Sequence, residues 1–216
     1  MRPRILVINP NSNESVTEAL RSALAGYSAA ADVECCTLAD GPFGIETDED
    51  RAAVVPMIVS RIEASPLFDA YVIACYCDPG LETCRERFDK PVFGIQESAV
   101  REACRGGRQF GVLALSDASI TGHLAYIERL GLSASLAGEL PLDITVDQSV
   151  NDPATPARIV EQGRRLVDEL GAGAVVLGCA GMAAHKKPAA EALRVPVIEP
   201  VEAAVAAALA ALHAAG

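Results

Sequence analysis

The two halves of the chain resemble one another, and this internal repeat constrains the fold more than any other feature. Two pairs of segments correspond, namely DAYVIACYCDPG (69–80) with GAGAVVLGCAGM (171–182), and RILVINPNS (4–12) with FGVLALSDA (110–118). When Ala70 is aligned with Ala174, an offset of 104 residues, Cys75 coincides with Cys179 (179 − 75 = 104). A duplication of this kind predicts two similar lobes, related by a pseudo-two-fold axis, that meet at a cleft. The two matching thiols are therefore expected to face each other across one site.

Hydrophobic patterning predicts the class of each lobe. Short runs rich in Val and Ile alternate with longer stretches of Ala, Glu, Arg and Leu, a pattern typical of parallel strands joined by helices. The predicted strands are 4–8, 33–37, 70–75, 92–95, 110–115, 135–140, 174–178 and 195–198, and the predicted helices include 14–24, 48–63, 120–130, 154–170 and 201–214. We therefore predict an α/β fold with two parallel sheets, with polar chemistry collected at the carboxyl ends of the strands.

Charge and composition narrow the range of partners. The 216 residues carry a formal net charge of −11 and a pI of about 4.7, which disfavours binding to nucleic acid or to an anionic membrane. No uncharged apolar stretch is long enough to span a bilayer, and no signal-peptide core follows the first residues. We expect a cytoplasmic protein whose partner is a small-molecule substrate. We also expect a homo-oligomer, for which the Ala-rich carboxy-terminal helix offers a packing surface.

The chain has seven cysteines, and this odd number without a secretory signal indicates reduced thiols rather than a disulfide framework. Four of them are assigned to packing: Cys35, Cys36, Cys84 and Cys104. Cys75 and Cys179 differ because each follows the last apolar residue of a predicted strand and precedes a turn that contains Gly. A thiol at the first turn of a helix has a lowered pKa, because the N–H groups and the dipole there stabilise the thiolate. We predict this property for both thiols.

Two thiols on opposite faces of a carbon acid suit racemisation or epimerisation. One thiolate removes the α-proton, and the other thiol returns a proton from the far side. Candidate donors to the enolate oxygen are the backbone N–H groups that follow the cysteines, those of Tyr76, Cys77, Ala180 and Gly181. A pyridoxal Schiff base would need a lysine in the cleft, and the only lysines are Lys90, just before a proline, and Lys186 and Lys187 in a surface-like segment. We expect neither a cofactor nor a metal.

Two other uses of the thiols are weaker alternatives. A cysteine hydrolase needs an imidazole beside its nucleophile, and none of His123, His185 and His213 sits at a predicted strand end next to either thiol. A zinc site could use Cys75 and Cys77, but no second pair at zinc-ligand spacing follows and no CxxC occurs.

Six segments in order along nearly the whole chain carry a resemblance to a known family. They are INPNSN (8–13), GPFGIET (41–47), IACYCDPGLE (73–82), PVFGIQESA (91–99), LGCAGM (177–182) and PVIEPVEAAV (196–205). The chain resembles the aspartate/glutamate/hydantoin racemase superfamily, and within it the hydantoin and allantoin racemases. This resemblance implies two Rossmann-like lobes, 1–96 with 199–216 and 97–198, with the active site in the cleft between them. It implies the following site: a catalytic pair, Cys75 and Cys179; a pocket formed by Asn9, Pro10 and Asn11 and covered by Ile45; and Ser116 and Asp117 as the second lobe's counterpart of the Asn motif.

The resemblance also bears on the substrate. Glutamate racemases place Thr and His after the second cysteine and an Asp-Ser pair after the first strand, whereas this chain has Ala180-Gly181 and Asn9-Pro10 there. Backbone donors alone suit the carbonyls of a cyclic ureide, and a buried ammonium would need a carboxylate partner. We therefore expect a 5-substituted hydantoin or allantoin. Asp78 and Asp117 keep an aspartate or glutamate racemase open.

Three further alternatives remain at this point. A maleate-type isomerase of the same superfamily also uses two cysteines, whereas an arylmalonate decarboxylase uses one and is disfavoured. Outside enzymology, two lobes around a cleft could form a small-molecule binding protein.

Cys77 stands where the hydantoin branch is expected to have an acidic or small residue. We expect its side chain to point away from Cys75 while its N–H donates to the oxyanion.

Overall fold

The computed structural model describes residues 2–215, with eight strands and nine α-helices in that range. The strands are β1 (Arg4–Asn9), β2 (Asp32–Thr37), β3 (Ala70–Ile73), β4 (Val92–Gly94), β5 (Phe110–Ala114), β6 (Leu136–Pro141), β7 (Ala174–Leu177) and β8 (Val197–Ile198). The helices are α1 (Glu14–Leu24), α2 (Asp48–Glu63), α3 (Leu81–Arg87), α4 (Ile95–Ala103), α5 (Asp117–Arg129), α6 (Val146–Asn151), α7 (Thr155–Arg164), α8 (Lys186–Leu193) and α9 (Pro200–Ala215).

The strands form two four-stranded sheets of the same topology. Their orders are β2-β1-β3-β4 and β6-β5-β7-β8, and every pair of neighbours is parallel. The central strands pair in register, with Val7 opposite Val72 in the first sheet and Val112 opposite Val176 in the second. The predicted α/β fold with two similar parallel sheets is thus confirmed. The predicted boundary between residues 96 and 97 falls inside α4, and residues 1 and 216 of the predicted first lobe lie outside the described range.

The central strands are apolar on both faces because helices cover both sides of each sheet. All four residues of β3 and all four of β7 are buried. One apolar cluster contains Val7 and Val72 from the first sheet together with Val112 and Val176 from the second, and it also includes side chains of α1, α4 and α9. The two lobes therefore share a central core, and each sheet has a second cluster on its outer side.

The Ala-rich helix α9 returns to the first sheet. It packs against α4 and against β3 and β4. Ala204 and Ala208 are fully buried, and such small side chains let two helices approach closely. Within residues 2–215, neither this helix nor any other combines the length and the apolar character that crossing a membrane would require.

Several boundaries differ from the sequence prediction. The strand predicted at 70–75 ends at Ile73, and a turn that the Asp78 N–H closes onto the carbonyl of Cys75 follows it. The helix predicted at 154–170 is α7 followed by a π-helical turn over Arg165–Glu169. The short helix α6 was not anticipated; it begins with a capping box, in which Thr145 Oγ accepts the N–H of Gln148.

Candidate active site

A cavity lies where the carboxyl ends of both sheets meet. Its wall holds the residues that follow β1, β3, β5 and β7, so both lobes contribute. Cys75 comes from the first lobe and Cys179 from the second, and both line the same cavity. The repeat therefore does bring its two matching thiols together, as the sequence predicts.

The sequence-predicted site residues divide into two groups. Those that line the cavity are Asn11, Ile45, Cys75, Tyr76, Cys77, Ser116, Cys179 and Ala180. Those that do not are Asn9, Pro10, Asp117 and Gly181. Asn9 and Pro10 are buried behind the wall, Asp117 is exposed on the outside, and the N–H of Gly181 is engaged by Cys179.

Asn9 does not line the cavity but holds the side chain of Asn11, which does. The Nδ2 group of Asn9 donates to Asn11 Oδ1 at 2.9 Å and to Thr17 Oγ1 at 3.0 Å. Asn11 Oδ1 also accepts the N–H of Asn13 at 2.9 Å. Because the oxygen of Asn11 is occupied twice, its Nδ2 group is the end left to donate to a ligand.

Cys75 sits in a turn rather than at the start of a helix. The N–H of Asp78 donates to the carbonyl of Cys75 at 2.9 Å, and α3 begins only at Leu81. The predicted benefit from a helix dipole is therefore absent here. Contact with Cys77 and burial raise the pKa of the Cys75 thiol well above its ordinary value. The predicted lowering of this pKa is wrong.

Cys77 does not point away from Cys75, as the sequence reading expected. The two Sγ atoms lie 3.3 Å apart, and both residues line the cavity. The expectation assumed the side-chain alternation of a strand, but β3 has already ended and the tight turn places both thiols on one side.

Cys179 does sit at the start of a helical turn. Its Sγ accepts the N–H of Gly181 at 3.4 Å and caps the 3₁₀ helix Ala180–His185. Ser149 Oγ lies 3.8 Å from the same sulfur. Burial nevertheless raises the pKa of Cys179 to about 11, because it outweighs these two contacts. A charge on Cys75 would raise this pKa further, so the two thiols are close enough to interact electrostatically.

Neither aspartate that kept an amino-acid substrate open faces the cavity. Asp78 is buried, and its carboxylate accepts the N–H groups of Gln96 and Glu97 at 2.9 Å each, at the start of α4. Asp117 is exposed in the first turn of α5. The packing around Asp78 also explains Gly94, since a Cβ atom there would lie 2.2 Å from the Asp78 carboxyl carbon.

The sequence reading missed several wall residues that come from other segments. Glu46 Oε1 accepts the N–H of Val146 at 3.0 Å, which joins the two lobes at the cavity. Arg51, in the first turn of α2, lines the cavity and bonds Asp48 with its guanidinium group. Glu46 could have been anticipated, because it directly follows Ile45, which the sequence predicts to cover the pocket. Nothing in the sequence places Arg51 or Val146 near the thiols.

The histidines are also placed differently from the expectation. His123 lines the cavity although it lies on α5, far along the chain from either thiol. His185, the nearest in sequence to Cys179, does not line it, and its Nε2 lies 3.1 Å from the carbonyl oxygen of Ser149. Within residues 2–215 there is no group of three or more His, Cys, Asp or Glu side chains that could hold a metal ion.

The chain is similar to known proteins along most of its length. The model of the Asp/Glu/hydantoin racemase family matches residues 5–208. A hydantoin racemase from Rhizobium meliloti is 36% identical over 205 residues, covering 93% of this chain and 85% of the relative. A hydantoin racemase from Paenarthrobacter aurescens is 34% identical over 207 residues, covering 93% of this chain and 87% of the relative.

A solved structure of a racemase is also similar to the chain over nearly its whole length. Allantoin racemase from Klebsiella pneumoniae superposes with a TM-score of 0.90 at 31% identity, covering 98% of this chain and 89% of the other. The family match spans both sheets and all three cysteines that line the cavity, Cys75, Cys77 and Cys179. The chain therefore belongs to the Asp/Glu/hydantoin racemase family.

Proposed function

We propose that the chain racemises a cyclic ureide, a 5-substituted hydantoin or allantoin, by moving the C5 proton between Cys75 and Cys179. The chain is a racemase, and so an isomerase, as are its named relatives. The single observation that supports the two-base mechanism is the pair of thiols, one from each lobe, on the wall of one cavity. Relatives named for hydantoin and allantoin support the substrate class.

The proposed reaction removes one proton from C5 and delivers another to the opposite face of C5. The thiolate of one cysteine takes the C5 proton, and the C–H electron pair delocalises into the adjacent carbonyl as an enolate. The thiol of the other cysteine then gives its proton to the opposite face of C5. The product leaves the two cysteines with exchanged protonation states, so each enantiomer uses the pair in the opposite order. No cofactor takes part in this scheme.

Hydrogen-bond donors near the thiols suit the ring oxygens. Asn11 Nδ2 has no acceptor among the described residues, and Tyr76 and Cys77 line the cavity beside Cys75. Donors held in place before the reaction stabilise a developing oxyanion without reorganisation. The N–H of Gly181, by contrast, is bound to Cys179 Sγ and is better suited to stabilise the Cys179 thiolate.

An amino-acid substrate fits the wall less well. A buried ammonium group needs a carboxylate partner, yet Asp78 caps α4 and Asp117 is exposed. The carboxylate that does line the cavity, Glu46, accepts a hydrogen bond from the backbone of Val146. We therefore favour the neutral ureide over aspartate or glutamate.

The test uses single cysteine variants and enantiopure substrates. Racemisation of L-5-substituted hydantoins and of allantoin is followed by circular dichroism, together with exchange of the C5 proton in deuterium oxide. C75S and C179S should each abolish racemisation, while each can still exchange the proton of one enantiomer. C104S is the matched control, since Cys104 lies outside the cavity wall. Full racemisation by either site variant would overturn the two-base assignment, and faster turnover of aspartate or glutamate would overturn the substrate class.

A further inference from the structure

Two thiols of the first lobe touch each other on the cavity wall. The Sγ atoms of Cys75 and Cys77 lie 3.3 Å apart, and both residues are partly exposed where they line the cavity. The covalent S–S bond of a disulfide is about 2.0 Å long, so a bond needs an approach of roughly 1.3 Å between two side chains of one turn. The proposed proton transfer uses only Cys75 of these two, which leaves the thiol of Cys77 without a role.

The other cysteines of residues 2–215 show no comparable contact between sulfur atoms. Cys35 and Cys36 are neighbours in sequence, but they lie in β2, where successive side chains point to opposite faces. Cys35 accordingly belongs to the core shared by both lobes, whereas Cys36 packs against the outer cluster of the first sheet. Cys179 Sγ meets the N–H of Gly181 and the hydroxyl of Ser149, and neither partner is a sulfur.

We propose that Cys75 and Cys77 form a modification site at which a hydroperoxide converts the two thiols to a disulfide. The oxidant must be small enough to enter the cavity, and hydrogen peroxide is the simplest member of this class. Formation of the disulfide does not depend on the proposed function. Its consequence for activity does, because the disulfide occupies the sulfur that we propose as the base of the first lobe.

The oxidation balances in two steps. The thiolate of one cysteine attacks an oxygen of hydrogen peroxide, the O–O bond breaks, and the sulfur becomes a sulfenic acid. The hydroxide that leaves takes up the proton released by the thiol and forms water. The sulfur of the other cysteine then attacks the sulfenic sulfur, so that an S–S bond forms, the S–O bond breaks and a second water leaves with the thiol proton. Two thiols and one peroxide give one disulfide and two waters, as two electrons pass from sulfur to oxygen.

The short distance between the two sulfurs decides which product accumulates. A sulfenic acid without a thiol nearby is oxidised further to sulfinic acid, which small thiols do not reduce. At Cys75 the second sulfur is already in contact, so closure to the disulfide needs no encounter between separate groups. Contact with Cys77 and burial raise the pKa of Cys75, which slows the first step at neutral pH and leaves the second step intramolecular. Exchange with a small dithiol returns the disulfide to two thiols.

The experiment detects the disulfide directly by mass. The reduced protein is titrated with hydrogen peroxide at about pH 8.5, where more thiolate is present, and is then unfolded, alkylated and cleaved before aspartate residues. Cleavage before Asp69 and Asp78 gives the fragment 69–77, DAYVIACYC, whose only cysteines are Cys75 and Cys77. We expect this fragment to carry no alkyl group and to be lighter by two hydrogen atoms. Treatment with dithiothreitol before alkylation should restore two alkylated thiols.

The same digest contains a matched control. Cleavage before Asp32 and Asp40 gives the fragment 32–39, DVECCTLA, which holds Cys35 and Cys36. These two should stay unlinked, because their side chains lie on opposite faces of β2. A disulfide in both fragments would show that peroxide links any neighbouring cysteines, and this would overturn the inference. A fragment 69–77 that keeps both alkyl groups throughout the titration, or that ends as a sulfinic acid, would also overturn it.

Variants separate this inference from the proposed function. C77S lacks the second thiol, so Cys75 should go on to sulfinic acid, and dithiothreitol should restore little of the activity that the untreated variant had. In the unmodified protein and in the control C104S, molecules with the disulfide should lose about 100-fold or more in kcat/KM, and the share that dithiothreitol restores should match the share of fragment 69–77 found as disulfide. Equal recovery by C77S and C104S would overturn the role of Cys77. A disulfide that leaves kcat/KM unchanged would instead refute Cys75 as a base, and the modification site would stand.

Discussion

Asp78 is expected to stabilise the fold by capping a helix that has no cap of its own. The residue before α4 is Gly94, which has no side chain to accept the first N–H groups of the helix. The Asp78 carboxylate takes this role, with bonds of 2.9 Å to the N–H groups of Gln96 and Glu97. D78A leaves both donors unsatisfied in a buried place. The loss should be about 2–3 kcal/mol, since a lost cap costs about 0.5–2 kcal/mol and an unsatisfied buried donor about 1–3 kcal/mol.

Urea unfolding at pH 7 measures this loss, and thermal unfolding should show a fall of about 5–10 °C in Tm for a chain of this size. D117A is the matched control, because Asp117 also lies in a first helical turn but is exposed and accepts no such bonds. Its effect should stay below about 1 kcal/mol. Stabilities of D78A and D117A that agree within error would refute the reasoning.

The same geometry predicts coupling with Gly94. G94A should be strongly destabilising, because the added Cβ would lie 2.2 Å from the Asp78 carboxyl carbon. In the D78A background this clash is removed, so the two substitutions should cost less together than the sum of their separate costs. Additive costs would show that the carboxylate is not what excludes a side chain at position 94.

Three other expectations concern the titrating groups. Contact with Cys77 is the main cause of the raised pKa of Cys75. C77A removes that contact, so the rise of kcat/KM with pH should move to lower pH while most of the activity is kept. A loss of activity as deep as that of C75S would instead make Cys77 a base. Iodoacetamide should alkylate Cys75 and Cys179 more slowly than free cysteine at pH 7 and faster as the pH rises, because both pKa values are raised; rapid labelling at pH 7 would contradict this. Burial raises the pKa of Glu199 to about 7 from an ordinary value of 4.5, so the folded state binds the extra proton and the free energy of unfolding should fall as the pH rises through this window. E199Q should flatten that fall relative to E128Q, and an unchanged slope would show that Glu199 does not cause it.

The fold was predictable because its signals are local and repeated. The apolar runs at 4–8 and 110–115 are typical of buried strands, and the repeat predicts the same topology for both lobes. The presence of Cys75 and Cys179 in one cavity follows from that symmetry. Asn11 and Ile45 came from the family motifs, and both line the cavity.

What the sequence could not give depends on three-dimensional packing. The raised pKa of Cys179 results from burial between two lobes, and no local pattern reports how deeply a strand end is buried. His123 reaches the cavity because α5 packs beside the turn that holds Tyr76, in the other lobe. The side-chain direction of Cys77 depended on where β3 ends, and a shift of two residues at a strand end was enough to reverse it.

The apolar cluster shared by both sheets joins the duplicated halves through one interior. Val7 and Val72 belong to the same cluster as Val112 and Val176, and α9 adds side chains from the far end of the chain. Either half expressed by itself would expose this shared surface to water and lose the stabilisation of its burial. Each copy of the repeat therefore completes the interior of the other, and we expect that a chain cut between the sheets would give two halves that do not fold independently.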